Sequence, residues 1–277
     1  MIEFLFLDLD DTILDFQMAE RTAIIKTFAA FGIDPTEEVL ELYHHINLRY
    51  WQMLERGEKT REQVMVQRFE TLFEQVGIQG DPEKCGRLYK ENLGIGHFFL
   101  PGAEEAVKSL HKKYRLFIAS NGTASVQAGR LESAKLYPWF EKIFISEELG
   151  HNKPAKEFFD GCFAQIPGFD PAKAMIVGDS LTSDILGGLN AGMLTCWVNP
   201  KGKQPKTASR PTIRSRHCTS WKPCWKPSKD AKSPLLSQRA LVFILPPERY
   251  GRYPAGTDPR WWGRPSSGPG HSCSWGR

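Results

Sequence analysis

The chain has 277 residues, of which 36 are basic and 32 acidic, and a formal net charge of +4. No stretch is apolar over the length of a membrane span, and the apolar start is interrupted at Asp8 with no basic segment before it, unlike a secretory signal. The three cysteines of the first 212 residues, Cys85, Cys162 and Cys196, are scattered along the chain. We therefore expect a cytoplasmic protein with reduced thiols and no membrane contact.

The apolar residues 4–7 predict a first strand that is buried on both faces, as in a parallel sheet. Asp8 and Asp10 follow at its carboxyl end, where open α/β sheets bind ligands. One carboxylate there can accept a phosphoryl group as a nucleophile, and a second one two residues later can donate and abstract a proton. Because Asp-rich turns are common after strands, this interpretation depends on the motifs that follow.

Between residues 15 and 97 the apolar residues recur at helical spacing. The spacing predicts four helices, at about residues 16–31, 36–56, 60–76 and 82–93. An insertion of four helices directly after the first motif predicts a cap domain, whose closure would exclude water and contribute substrate contacts.

The second predicted helix carries three candidate substrate contacts, Asn47, Tyr50 and Trp51. An aromatic ring at this place could stack on a nucleotide base. The alternative is that these residues belong to the core or the surface of the cap.

Three further apolar runs are each followed by a residue type that phosphoryl transfer requires. The first of them ends at Ser120 and Asn121, where a hydroxyl and backbone amides suit phosphate oxygens. Lys153 follows the next run and could neutralise a transferring phosphoryl group. Asp179 follows the last run, with Asp184 five residues later, and such carboxylates suit Mg²⁺. Each motif alone is an ordinary turn or surface residue, but the four together, in this order, are specific.

This alternation of strands and helices predicts an α/β fold with a Rossmann-like parallel sheet. We assign residues 1–14 and 98–212 to the catalytic core and residues 15–97 to a four-helix cap inserted after the first strand. The length suffices for one core domain and a small cap.

The motifs resemble those of the haloacid dehalogenase superfamily of aspartate-nucleophile phosphatases. The resemblance implies that Asp8 is the nucleophile and Asp10 the general acid/base. It also implies that Ser120 and Asn121 bind phosphate together with Lys153, which stabilises its charge.

The same resemblance implies a Mg²⁺ cofactor held by Asp8, Asp179 and the backbone carbonyl of Asp10. Asp184 matches a position that orients Lys153 or a metal-bound water. The dehalogenases of the superfamily lack an acid at the position of Asp10, since a halide leaves without a proton. A phosphate ester that leaves as an alcohol needs one, so a phosphatase is favoured over a dehalogenase.

Four stretches resemble the noncanonical pyrimidine 5′-nucleotidase branch of the superfamily, namely residues 10–17, 55–61, 176–188 and 195–200. This resemblance implies hydrolysis of nucleoside 5′-monophosphates, with a small phosphate monoester as the partner. Two alternatives stay open: a phosphatase of sugar phosphates or other small metabolites, and a phosphate-binding protein inactivated by its altered C-terminus. The oligomeric state is left open.

The composition changes abruptly near Thr212. Residues 213–277 contain 12 basic and 3 acidic residues, whereas residues 1–212 contain 24 basic and 29 acidic ones. The tail is rich in Pro, Gly, Ser and Arg, and only residues 235–236 and 241–245 are appreciably apolar. A basic segment with interleaved Trp can bind nucleic acid, but the genetic code favours a different explanation, and we expect no nucleic-acid partner.

The codons of residues 217–227 can also be read in the frame that begins on the third base of each codon, with AGC or AGT assumed for Ser220. The new frame specifies Leu at three places and Glu at two, within an amphipathic string of strong helix formers. The resembled family has a short strand and a terminal helix here. We therefore interpret the tail as the product of a one-base frameshift near Thr212, natural or a sequencing error. We expect a disordered, aggregation-prone tail and an exposed sheet edge.

Overall fold

The computed structural model describes residues 1–199 and 240–243, the last four by their backbone alone. Its centre is a parallel sheet with the strand order β3-β2-β1-β4-β5-β6. The predicted α/β fold with a parallel sheet is confirmed. The strands are β1 Phe4–Leu7, β2 Arg115–Ser120, β3 Lys142–Ile145, β4 Ala174–Gly178, β5 Leu194–Val198 and β6 Ala240–Phe243.

Strand β1 lies in the middle of the sheet because all of its residues are apolar and both of its faces are covered. Phe4 and Phe6 belong to the apolar cluster on one face, and Leu5 and Leu7 to the cluster on the other. Strand β1 pairs with β2 on one side and with β4 on the other, so the chain order of the strands reverses there. Such a reversal opens a crevice at the carboxyl ends of the strands, where α/β proteins bind ligands.

Helices cover both faces of the sheet. Helices α5 and α6 contribute to the cluster that contains Leu5 and Leu7, whereas α8 contributes to the phenylalanine-rich cluster. The core helices are α5 Ala103–His111, α6 Ala124–Ser133, α7 Ser146–Leu149, α8 Lys156–Phe163 and α9 Leu186–Asn190.

Four helices separate β1 from the rest of the core, and they enclose an apolar cluster of their own. A side chain at the start of each helix accepts a backbone N–H, which satisfies a donor that the helix leaves open. The observed bounds lie within two residues of those predicted. The helices are α1 Phe16–Phe31, α2 Glu37–Glu55, α3 Arg61–Val76 and α4 Pro82–Ile95. We call these four helices the cap; the exact domain boundaries, at residues 14/15 and 97/98, stay a prediction.

The cap is joined to the core by two linkers that run side by side. The N–H of Asp15 donates to the carbonyl of Phe98 at 2.7 Å, and the N–H of Leu100 donates to the carbonyl of Ile13 at 3.0 Å. Next to these linkers, the end of α4 lies against α6. A Cβ atom at Gly129 would come within 2.5 Å of the carbonyl oxygen of Gly94, so the two helices approach more closely than any side chain would allow.

The sequence interpretation left β5 as an exposed edge of the sheet, and the structure corrects it. Ala240–Phe243 pairs in parallel with β5, from Thr195 opposite Ala240 to Val198 opposite Phe243. This strand overlaps the apolar run of the tail, where Val242 and Phe243 are residue types enriched in strands. The rest of residues 213–277 lies outside the described residues, and so does the expectation that the tail is disordered. Within residues 1–199 and 240–243, no helix combines the length and apolar character needed to cross a membrane.

Truncating a core leucine tests the packing of the central strands. Leu116 in β2 is 1% exposed, so Leu116→Ala should lower the free energy of unfolding by about 2–5 kcal/mol. The matched control is Leu48→Ala in α2, where the side chain is 48% exposed and the change should stay within about 0.5 kcal/mol. Urea unfolding of both variants measures the difference, and equal losses would contradict this burial.

Candidate active site

Asp8 is the first residue after β1. Its backbone N–H donates to the carbonyl of Val177 in β4 at 2.9 Å, which holds the residue at the crevice between the two strands. Asp11 then adopts a φ of 53°, a left-handed conformation that Asp tolerates better than most residues. The Asp11 carboxylate accepts the N–H of Phe16 at 3.0 Å, so the start of the cap is tied directly to the turn that carries Asp8 and Asp10.

Lys153 is the buried cation of this site, with 1% of its surface exposed. Its Nζ donates to Asp8 Oδ1 at 2.7 Å, to Asp184 Oδ1 at 2.6 Å and to the carbonyl of Ala119 at 2.6 Å. An ammonium group has three donors, so every one of them has an acceptor. Lys153 therefore joins the ends of β1 and β2 to the segment after β4.

Asn121 fixes the backbone of Lys153. Its Oδ1 accepts the N–H of Lys153 at 2.8 Å, and its Nδ2 donates to the carbonyl of the same residue at 2.9 Å. This reciprocal pair holds the loop after β2 against the segment that carries the lysine. The two phosphate-binding segments predicted from the sequence are thus brought together.

The electrostatics of the site are dominated by buried carboxylates. Burial raises the pKa of Asp8 to about 8; Asp184 and Asp10 add to this effect, and Lys153 opposes it. Burial alone would lower the pKa of Lys153, but the attraction of Asp184 and Asp8 is larger in sum and raises it above its ordinary value. Lys153 is therefore charged, while Asp8 lacks enough positive charge nearby to stay ionised over the usual range of a carboxylate.

The missing positive charge fits a divalent cation. Ligand atoms of Asp8, Asp179 and Asp184 all lie within 4.8 Å of one another. Both oxygens of Asp184 already accept hydrogen bonds, from Lys153 and from the N–H of Ser180 at 3.0 Å. Asp8 and Asp179 are therefore the better ligands, and oxygen donors of this kind suit Mg²⁺. Asp10 is not part of this group, since its side chain is bound elsewhere; a metal contact by its backbone carbonyl stays a prediction.

The side chain of Asp10 is held by helix α6. Gln127 Nε2 donates to Asp10 Oδ2 at 2.7 Å, and the guanidinium of Arg130 donates to Asp10 Oδ1. Gln127 Nε2 also donates to the hydroxyl of Ser120 at 2.9 Å, and the N–H of Gly122 donates to that hydroxyl at 3.1 Å. One amide group thus contacts both the predicted acid/base and the predicted phosphate-binding hydroxyl.

The cap contacts the core site through Arg61, the first residue of α3. Its guanidinium donates to the carbonyls of Asn121 and Gly122 at 3.1–3.2 Å, to Ser146 Oγ at 2.7 Å and to Asn152 Oδ1 at 3.0 Å. Asn121 is a predicted phosphate-binding residue, Gly122 and Asn152 adjoin Asn121 and Lys153, and Ser146 begins α7. We call this set of contacts the Arg61 latch.

Glu55, at the end of α2, is a second cap residue near the site. Burial raises its pKa, which Lys153 lowers and Asp184 raises further. Both of these charges belong to the core site, so the carboxylate of Glu55 is close enough to influence what binds there.

The three candidate substrate contacts of the cap have different surroundings. Asn47 is buried, with Nδ2 donating to Glu20 at 2.6 Å and Oδ1 accepting from Arg68 at 2.6 Å. The Tyr50 hydroxyl is hydrogen-bonded to Thr71 at 2.8 Å. These partners all lie in the cap, and among the described contacts none joins either residue to the catalytic side chains. Only Trp51 adjoins the core site, through the Arg61 guanidinium 5.5 Å from its ring. Substrate contact by these residues stays a prediction.

The family model of the haloacid dehalogenase-like hydrolases matches residues 5–198 of this chain, from β1 to β5. The chain belongs to this family. HAD-hydrolase YfnB of Bacillus subtilis is 39% identical over 76% of the chain and 90% of its own length. Its crystal structure, described as bound to magnesium and revealing interdomain movement, superposes with a TM-score of 0.71 over 74% of this chain and 90% of that one.

Two pyrimidine 5′-nucleotidases are also similar to this hydrolase. PynA of Streptococcus pneumoniae is 36% identical over 76% of this chain and 89% of its own length. YjjG of Escherichia coli is 30% identical over 76% of this chain and 92% of its own length. The resemblance to the nucleotidase branch is therefore confirmed at the level of sequence similarity, and the assignment of this hydrolase as an enzyme is confirmed with it.

Four residues of the site were not predicted from the sequence: Glu55, Arg61, Gln127 and Arg130. Glu55 and Arg61 bound the stretch that resembles the nucleotidase branch, which was the one available signal for them. Gln127 and Arg130 are three residues apart on a helix that follows the Ser120 turn, a spacing that places them on one face. That spacing is too common to identify a function without the contacts.

The unusual pKa of Asp8 has a consequence for stability. A carboxyl whose pKa is raised on folding contributes stability at low pH and loses it as the pH rises towards the folded value, here about 8. In EDTA, Asp8→Asn should therefore be more stable than the wild type at pH 8, by more than about 1.4 kcal/mol, the equivalent of one pKa unit. The advantage should shrink at pH 5. Urea unfolding at the two pH values measures it, and a variant less stable than the wild type at pH 8 would refute the argument.

Removing the Arg61 latch should loosen the cap. Charged hydrogen bonds contribute about 1.5–3 kcal/mol each to stability, so Arg61→Ala should increase amide exchange in the first turn of α3 at least about tenfold, or 1.4 kcal/mol. Hydrogen–deuterium exchange measures this effect. The control is Arg56→Ala, directly after α2, because the ion pair that Arg56 forms within the described residues is with the exposed Glu58. Equal exchange in both variants would contradict the latch.

Proposed function

We propose that this hydrolase cleaves small phosphate monoesters through an aspartyl-phosphate on Asp8, with Mg²⁺ as cofactor. The observation that carries the proposal is the buried group at the end of β1, where Lys153 binds Asp8 directly and Asp179 and Asp184 lie within 4.8 Å. A nucleophilic carboxylate, a fixed cation and a second pair of carboxylates are the parts that phosphoryl transfer requires.

In the first step, an oxygen of Asp8 attacks phosphorus while the bond to the leaving oxygen breaks. Asp10 gives its proton to that oxygen, so the product leaves as an alcohol. Lys153 and the Ser120 hydroxyl stabilise the charge on the phosphoryl oxygens. Mg²⁺ bound by Asp8, Asp179 and the backbone carbonyl of Asp10 would supply further positive charge.

In the second step, water hydrolyses the aspartyl-phosphate. Asp10, now ionised, takes a proton from the water as its oxygen bonds to phosphorus and the bond to Asp8 breaks. Orthophosphate is released and the Asp8 carboxylate is restored. Asp184 keeps Lys153 in place in both steps, through the 2.6 Å ion pair.

Nucleoside 5′-monophosphates, pyrimidine ones first, are the proposed substrates. The support is the similarity to PynA and YjjG, each named a pyrimidine 5′-nucleotidase, over three quarters of the chain. Trp51, next to the Arg61 latch, is the aromatic candidate for stacking on the base. Sugar phosphates are the competing substrate class, because they would use the same catalytic residues.

Phosphate release from pyrimidine and purine 5′-monophosphates and from sugar phosphates, with and without Mg²⁺, tests the proposal. We expect Mg²⁺-dependent turnover that is fastest with pyrimidine monophosphates. Asp8→Asn should lower kcat by at least about a thousandfold, since the nucleophile is lost. Undiminished turnover by Asp8→Asn, or faster turnover of sugar phosphates, would refute the mechanism or the substrate class, respectively.

A thermal shift measured together with turnover separates an enzyme from a phosphate-binding protein. Mg²⁺ at about 100 times its dissociation constant should stabilise the wild type by about 2.7 kcal/mol, and Asp179→Asn should lose most of this shift. Stabilisation by Mg²⁺ and inorganic phosphate without any turnover would instead indicate a phosphate-binding protein.

A further inference from the structure

We propose that Gln127 and Arg130 are positioning residues that aim the carboxyl group of Asp10 at the leaving oxygen. The inference rests on the proposed function, in which Asp10 is the general acid/base. We call these two side chains the α6 clamp.

The α6 clamp holds Asp10 at both of its oxygens. Gln127 contacts Oδ2 at 2.7 Å and Arg130 contacts Oδ1. A carboxyl group held at one oxygen can still rotate about its terminal bond, whereas one held at both cannot. The Asp10 side chain nevertheless keeps 28% of its surface exposed, so the two contacts leave part of it accessible.

The two clamp residues act as one unit. Both are fully buried, and Arg130 donates to Gln127 Oε1 at 3.1 Å. The rest of the Arg130 guanidinium is poorly satisfied: among the described residues, Nε and one terminal nitrogen have no hydrogen-bond partner. Burying a cation with unpaired donors lowers stability. The burial of Arg130 is therefore better explained by its contact with Asp10 than by a contribution to stability.

Gly122 makes room for the clamp. A Cβ atom at this position would lie 2.6 Å from Gln127 Cδ and closer still to Nε2. Any side chain would therefore push the Gln127 amide away from Asp10 and from Ser120. The glycine of the phosphate-binding turn is thus needed for the placement of the Asp10 side chain.

The clamp should affect the reaction rate only where that rate depends on proton transfer from Asp10. General acid catalysis contributes about 10²–10⁴-fold when the leaving group is poor and much less when it is good. A misaimed Asp10 should therefore slow the release of a phenol more than that of p-nitrophenol. Loss of folding or of phosphate binding would slow both equally.

The test compares kcat/KM for phenyl phosphate and p-nitrophenyl phosphate, measured with the full chain and Mg²⁺. Arg130→Met and Gln127→Leu should each lower kcat/KM about tenfold more for phenyl phosphate, and Asp10→Asn should do so more strongly. Arg130→Lys should recover part of the difference because it restores a donor. Gly122→Ala should behave as Gln127→Leu does.

Arg115→Met is the control, because Arg115 pairs with the exposed Glu141 at the far end of β2 and should leave the ratio of the two substrates unchanged. If folded Arg130→Met and Gln127→Leu lose kcat/KM equally with both substrates, the clamp is overturned. A larger loss with phenyl phosphate in Asp10→Asn would still support the proposed function. If Arg130→Met does not fold, the kcat/KM ratio of Gln127→Leu alone tests the clamp. A wild type that hydrolyses neither the aryl phosphates nor the nucleoside and sugar monophosphates would overturn the proposed function and the clamp together.

Discussion

The ion pairs of Lys153 are the interaction on which the site depends. A buried ammonium costs several kcal/mol unless acceptors surround it, and here Asp8, Asp184 and the carbonyl of Ala119 take all three of its donors. These acceptors come from different strand ends, so the loops around the crevice can satisfy the lysine only in one arrangement. Burial raises the pKa of Asp8, and the neighbouring carboxylates add to this effect against Lys153. Perturbed pKa values of this kind cluster at functional sites.

Each proposed catalytic group is supported by an element that lies outside the motif containing it. Asn121 supports the backbone of Lys153, and α6 supports the side chain of Asp10. The cap adds Arg61, whose acceptors lie on the same loops. Preorganisation of this kind fixes the reacting groups before the substrate arrives, so the binding energy need not be spent on ordering them.

The sequence was enough to predict the sheet, the cap helices and the residues that belong to the strand-end motifs. These features are local: a buried strand ends in a carboxylate, or an apolar period of 3.6 ends at a glycine. Arg61 and Arg130 could not be predicted in the same way, because each is an ordinary charged residue of a helix until tertiary structure brings its acceptors near. Asn47 was selected from the sequence as a substrate contact, and the structure adds that both of its polar atoms are occupied within the cap. Such tertiary contacts cannot be seen in the sequence. The pairing of β6 with β5 was missed because a composition that argues against a folded tail says nothing about one short apolar run within it.

The close approach of Gly94 to Gly129 leaves no space between α4 and α6 at this end of the cap. The paired linkers and this contact lie on the same side of the cap, at the end of α4, whereas the Arg61 latch holds the cap at the start of α3. The linkers attach one side of the cap covalently, whereas the Arg61 latch attaches the other side by hydrogen bonds alone. Opening of the cap would therefore rotate it about the linkers. Asp10 lies beside this pivot and is anchored to α6, so it would move least when the cap opens, while the phosphate-binding loops under Arg61 would become accessible first. On the proposed function, a substrate that enters from the α3 side would meet an Asp10 side chain that α6 already holds.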